Sequence, residues 1–209
     1  MTLRDDFLRP PRTAAEWAAD ALRVIGVVAV GVAAIVLAPT DVGITALALP
    51  ALMLPRMLGL GGWFDLTTCV LVLAAAWSNV FDLYRSVPGW DLLLHFACTG
   101  VLAVIAAVVL TRARIAPITR GDAVSARTPL VLLPLIALAL SAVWEMVEWL
   151  GLTYLSDEIF VTYQDTIGDM VFGGLGGLVA GLVLVFAPVE RAAREASDAG
   201  MVASAVVRE

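Results

Sequence analysis

Residues 164 to 186 read Q-D-T-I-G-D-M-V-F-G-G-L-G-G-L-V-A-G-L-V-L-V-F. After the second aspartate no charged residue follows for 20 positions, and about 20 mostly apolar residues cross ~30 Å of hydrocarbon as a helix. The stretch therefore reads as a membrane-spanning helix that opens on two carboxylates. Asp165 and Asp169 stand four apart and share a face. A carboxylate is costly in the bilayer and persists where a partner or a function holds it. Gly173, Gly177 and Gly181 continue at the same spacing, and small residues so placed let helices pack closely. The helix is expected at the centre of a bundle, with Asp169 turned toward protein.

Working outward, five more apolar runs of spanning length appear, giving spans near 20–39, 43–60, 64–84, 90–111, 129–151 and 166–187. The 209 residues are 61% hydrophobic and 15% charged, a mix that excludes an ordinary soluble domain. The expected fold is all-α: a polytopic transmembrane helical bundle of about six spans, one integral membrane domain over 1–209 that ends in a cytoplasmic tail at 188–209. The second span is the most interrupted, by Pro50, Pro55 and Arg56, so a kinked or short re-entrant form stays open there. The first run follows Arg4, Arg9 and Arg12 but has spanning length and no A-x-A site, and so reads as a retained anchor.

All 13 basic residues are arginines, and twelve of them fall on one side of this topology while Arg85 stands alone on the other. The positive-inside rule then places both termini in the cytoplasm of a bacterial-type plasma (inner) membrane. The 112–128 loop reads as a basic, solvated cytoplasmic loop. Cys69 and Cys98 fall on different helices at different depths, which argues against a disulfide. The lipid bilayer is the partner that composition implies. No nucleic-acid partner is expected, and the oligomeric state stays open.

In this topology three helices carry ionisable groups to one level near the extracytoplasmic face. Asp91 and His95 are i, i+4 at the start of the fourth span. Glu145 and Glu148 are i, i+3 at the end of the fifth, with Ser141 behind them and Trp144 and Trp149 marking the interface. Asp165 and Asp169 open the sixth, where Asp165, like Asp91, also suits a helix cap. Asn79, Asp82 and Arg85 complete the polar layer from the end of the third span. Five carboxylates with one histidine need compensation in a partly desolvated layer. Protons on some carboxyls, a divalent metal, a cationic substrate group or penetrating water would each supply it. His95, Glu145, Glu148, Asp165 and Asp169 form the candidate metal set, and one imidazole with several carboxylates suits Mg, Mn, Fe or Zn. His95, Glu145, Glu148 and Asp169 are the candidate catalytic groups.

The segments W-D-L-L-L-H-F, W-E-M-V-E-W and D-T-I-G-D-M-V-F-G-G-L-G-G, within residues 90 to 182, resemble the YjdF-type inner membrane proteins, with a looser likeness to the VanZ-like family. The resemblance implies a small polytopic bundle whose signature residues map onto Asp91, His95, Glu145, Glu148, Asp165 and Asp169, and it implies no settled activity. Two departures weaken the VanZ side: Leu92 stands where that family tends to have lysine, and Gly173 where it commonly has asparagine. Three functions fit the residues. One is acid/base or metal-assisted processing of a lipid or other amphiphilic small molecule. Another is a proton- or cation-coupled transporter or amphiphile-binding protein that uses the same carboxylates as a relay, for which a through-path would need a polar route from Asp65 outward. The last is a structural polar latch between helices.

Overall fold

The structure is a computed structural model and describes residues 3–119, 127–157, 159–187 and 189–191. These fold into α1 (Leu3–Leu8), α2 (Ala14–Val36), α3 (Pro39–Met57), α4 (Gly62–Val80), α5 (Leu83–Ser86), α6 (Trp90–Arg112), α7 (Arg127–Tyr154) and α8 (Tyr163–Phe186). No strand occurs among the described residues; the one β-bridge is an isolated antiparallel pair, Leu60 with Glu190. Five helices, α2, α4, α6, α7 and α8, are long and apolar enough to cross a membrane, so the chain is a multi-pass membrane protein. The tail from 192 onward and loop residues 120–126 lie outside the described residues.

The boundaries follow local chemistry. α2 begins six residues before the expected start because T-A-A-E at 13–16 forms a variant of the capping box: Thr13 Oγ1 accepts from the Glu16 amide at 3.2 Å, and Glu16 Oε2 reaches past the cap to accept from the Arg12 amide at 2.6 Å. Pro39 opens α3 at a first-turn position, where the missing N–H costs nothing. The third span does not run to 84. It ends at Val80, because Asp82 takes a left-handed conformation (φ 54°) and restarts the chain as α5.

α3 has spanning length but not the apolarity of the other five. Even so it traverses the bundle, since Asp41 in its first turn accepts from Asn79 at the end of α4 while Arg56 in its last turn meets Asp20 near the start of α2. Pro50 and Pro55 both lie within it. α3 is thus one continuous helix whose two ends reach opposite ends of the bundle.

α8 packs most extensively against α6 and α7, while α2, α3 and α4 pack against one another and reach the first group through α4 and α6. The glycines of α8 explain its central place. A Cβ at Gly177 would strike Ala137 and lie 2.7 Å from the Leu133 carbonyl, and one at Gly181 would lie 2.7 Å from the Pro129 carbonyl, so one glycine face seats α7. Gly176 faces the other way, where a Cβ would run into the Phe96 carbonyl, and Gly100 of α6 approaches the Gly176 carbonyl from its own side. Two faces rather than one stripe hold the helix between its neighbours.

The end of the bundle carrying α1 is tied by ion pairs. Glu16 receives Arg9 at 2.9 Å and Arg191 at 3.3 Å, and Arg112 meets Glu190 at 2.6 Å. The start and finish of the described chain therefore lie at the same end, as an even number of traverses requires. Deeper, each nitrogen of the buried Arg23 side chain has a partner: Nε donates to the Leu52 carbonyl at 2.8 Å, Nη1 to Asp20 at 2.7 Å and Nη2 to the fully buried Asp65. Cys69 and Cys98 are free thiols.

Candidate carboxylate and histidine centre

The opposite end of the bundle gathers the ends of α6, α7 and α8. Gly89, in a left-handed conformation (φ 75°) that favours glycine, turns the chain into α6. This places Asp91 in the first turn of α6 and His95 one turn deeper. α8 starts at a second capping box, T-Y-Q-D at 162–165, in which Thr162 Oγ1 accepts from the Asp165 amide at 3.3 Å. Thr162, not Asp165, is therefore the cap. Asp165 stands half-buried in the first turn, and Asp169 lies a turn further in. α7 arrives from the other direction and contributes Glu145 and Glu148 before it ends at Tyr154.

His95 is the meeting point. Its Nε2 lies 3.4 Å from Asp91 Oδ1 and 3.9 Å from Asp169 Oδ1. One possible ligand atom from each of Asp91, His95 and Asp169 falls within 4.8 Å of the others, and the same holds for His95, Glu145 and Glu148. Two ligands on a common ion, each at about 2.0–2.5 Å, stand no more than ~4–5 Å apart. Both triplets therefore have the separations of ligands to a single cation, and both share the imidazole.

Burial sharpens the contrast with an ordinary surface cluster. Asp169 is 1% exposed, Glu145 6% and His95 9%. Neither carboxylate oxygen of Asp169 has a hydrogen-bond partner, and neither does Ser141 Oγ; the Glu145 carboxylate has the Thr166 side chain beside it. Buried polar atoms are paired in the great majority of cases, so three orphaned oxygens on Asp169 and Ser141 in one small volume are an unusual concentration. The fit of a hard or borderline cation rests on this observation together with the donor chemistry.

The remaining expected members divide. Asp165 is close enough to Asp91, Glu145 and Asp169 to act on them electrostatically but belongs to neither triplet. Asn79 does not join through its side chain; it is exposed and donates to Asp41 of α3 at 2.8 Å. Asp82 is exposed at the left-handed turn, and Arg85 is exposed on α5.

Two residues that the sequence reading passed over belong to this region. Thr99 is i+4 from His95 and buried, and a Cβ built on Gly173 would lie 3.3 Å from its Oγ1 and would strike Ser141 Oγ. Thr99, Ser141 and Gly173 thus form a second polar layer one turn below His95, Glu145 and Asp169. The i+4 spacing was the available signal. Tyr84 of α5 is within electrostatic reach of Asp91, Glu148 and Asp169, and its hydroxyl donates to the Ala75 carbonyl at 2.9 Å; nothing in its local sequence points to this. Trp90 Nε1, donating to Ser78 Oγ at 2.8 Å, ties the start of α6 to α4.

A family model described as predicted membrane protein (DUF2238) matches residues 16–189. The chain belongs to this family. The YjdF-type resemblance is to the same family, and the match carries it past residues 90 to 182 to include α2, α3 and α4, so membership is a property of the whole bundle and not of the three acidic segments alone. The match neither supports nor opposes the VanZ-like likeness. No curated protein and no solved structure matches the chain.

Proposed function

We propose that the ends of α6, α7 and α8 form a divalent-cation centre, and that this family member uses it on a lipid or other amphiphile at the extracytoplasmic face. The observation that carries the reading is the coincidence of ligand-range separations around His95 with the unpaired, buried carboxylate oxygens of Asp169. His95 and either Asp91 with Asp169 or Glu145 with Glu148 would hold the ion. A bound cation there would polarise a phosphoryl or carbonyl oxygen or activate a water. The carboxylates not engaged by it, with Glu148 and Asp165 the more exposed, would take up or release a proton.

The surroundings suit an amphiphile. Trp144, Trp149, Leu150, Tyr154 and Tyr163 are exposed on the lipid-facing side of the same end, with Trp149 and Tyr154 edge to face at 6.4 Å. Aromatic residues of this kind lie at headgroup level. A polar latch would be expected to pair its buried oxygens with one another. A through-path for a transporter would have to start from Asp65, which is paired with Arg23 at the far end.

Elemental analysis of purified protein tests the reading: about one equivalent of a divalent metal in the wild type, lost in Glu145→Gln and Asp169→Asn, is the expected result. Metal-free protein that also fails to bind added Mg²⁺, Mn²⁺ or Zn²⁺ would overturn the cation centre. Identical lipid profiles in wild-type, deletion and Glu145→Gln cells would remove the amphiphile as substrate.

A further inference from the structure

The end of the bundle opposite the carboxylate centre carries a second, chemically distinct feature. A cavity of about 380 Å³ lies between α1, α2 and α3, lined by Phe7, Asp20, Arg23, Val24, Val27, Val28, Met53 and Arg56. Its walls divide by character. Val24, Val27 and Val28 form a valine face on α2 that is about half exposed on the lipid-facing side. Arg23, Arg56 and Asp20 form the polar floor.

The arginines are not equivalent. Arg23 uses Nε, Nη1 and Nη2 on Leu52, Asp20 and Asp65. Arg56, whose side chain is 6% exposed, spends Nη2 on the Arg9 carbonyl at 2.6 Å and on Asp20 Oδ2 at 3.0 Å, and its Nη1 has no acceptor at all. A buried guanidinium nitrogen without an acceptor is costly; Asp20 and Asp65 match Arg23 and Arg56 in charge, so the unmet demand is the Arg56 Nη1 donor and not a surplus of positive charge.

We propose that this cavity binds the phosphate headgroup of an anionic lipid, with Arg56 as the principal donor and the acyl chains running along Val24, Val27 and Val28. Arginine suits phosphate through paired, charge-assisted N–H donors. The depth also fits. Asp20 and Arg23 lie within the first three turns of α2, about 9 to 14 Å along the axis from Ala14 at ~1.5 Å per residue, while the valines that follow are level with acyl chain. The site is independent of the carboxylate centre, and its success or failure leaves that proposal untouched.

Native mass spectrometry of the full-length protein, released from detergent containing equimolar phosphatidylglycerol, phosphatidylethanolamine and phosphatidylcholine, reads the headgroup preference directly. Phosphatidylglycerol retention about tenfold above phosphatidylcholine is expected, falling to parity in Arg56→Gln. Because Arg56 also braces α1 and α2, a second variant keeps the test clean: Val27→Trp leaves every charged group in place, fills the cavity and should abolish the preference. Equal retention of the three lipids, or an undiminished preference in Val27→Trp, would overturn the proposal. Displacement of phosphatidylglycerol by inorganic phosphate at the same concentration would do so too, by making this a site for the free anion.

Discussion

Asp169, Glu145 and Asp65 are all buried carboxylates in one apolar chain, yet they keep different company. Asp65 has Arg23, whereas Asp169 has the His95 imidazole at 3.9 Å and Glu145 the Thr166 side chain, with no guanidinium paired to either among the described residues. Their substitutions should therefore behave differently. Asp65→Ala strands Arg23, and removing one partner of a buried ion pair costs about 3–5 kcal/mol, so we expect a large loss of stability in mild-detergent denaturation. Replacing both, as Arg23→Met with Asp65→Leu, should recover most of it. Glu145→Gln and Asp169→Asn remove a charge that no guanidinium among the described residues is seen to pair with; neither should lower the melting temperature of cation-free protein appreciably. Each should nonetheless weaken Mn²⁺ binding by at least about tenfold, which is ~1.4 kcal/mol, in isothermal titration. Loss of stability without loss of cation affinity would return the cluster to a structural role.

Among the elements, α8 is the one whose sequence carries its packing. Gly176→Ala introduces a Cβ against the Phe96 carbonyl, backbone that cannot rotate away, and overpacking of this kind costs typically about 1–3 kcal/mol. Gly31→Ala on α2 meets nothing within 4 Å and should be neutral or stabilising by up to ~1 kcal/mol from helix propensity. Unfolding of the two variants side by side checks the contrast. Because α6 carries His95 on the same contact, Gly176→Ala should also lower cation affinity although it lies about two turns from any ligand. α3 teaches the opposite lesson. Its prolines and Arg56 make it the least apolar of the six long helices, and it is held in place by its ends, Asp41 with Asn79 and Arg56 with Asp20, contacts far apart in sequence.

Across the whole molecule, the polarity of the two ends is the main fact. Guanidinium groups and their carboxylate partners tie one end, and the other collects carboxylates around a single imidazole. If the arginine-rich end is cytoplasmic, as the positive-inside rule proposes, then in a cysteine-free background Arg85→Cys should react with an impermeant maleimide in intact cells, and Arg4→Cys and Arg114→Cys only after permeabilisation. The reverse pattern would invert the topology and put the carboxylate centre in the cytoplasm. Much of this was legible from one-dimensional information. Spans follow from runs of apolar residues because crossing hydrocarbon requires an unbroken internally bonded helix. The common depth of Asp91, His95, Glu145, Glu148 and Asp169 follows from counting rise along three helices. What counting cannot supply is rotation about each helix axis and the identity of partners on other helices. The sequence by itself therefore determined the membrane class, the helices and the level of the acidic layer. Only the tertiary structure decided that His95 stands between two carboxylate pairs, that Asn79 turns away to Asp41, that Thr99 and Ser141 extend the polar layer inward and that Arg23 finds Asp65. Those outcomes depend on which side of α8 each glycine face offers to α6 and α7, a packing choice made by contacts between residues up to 80 positions apart.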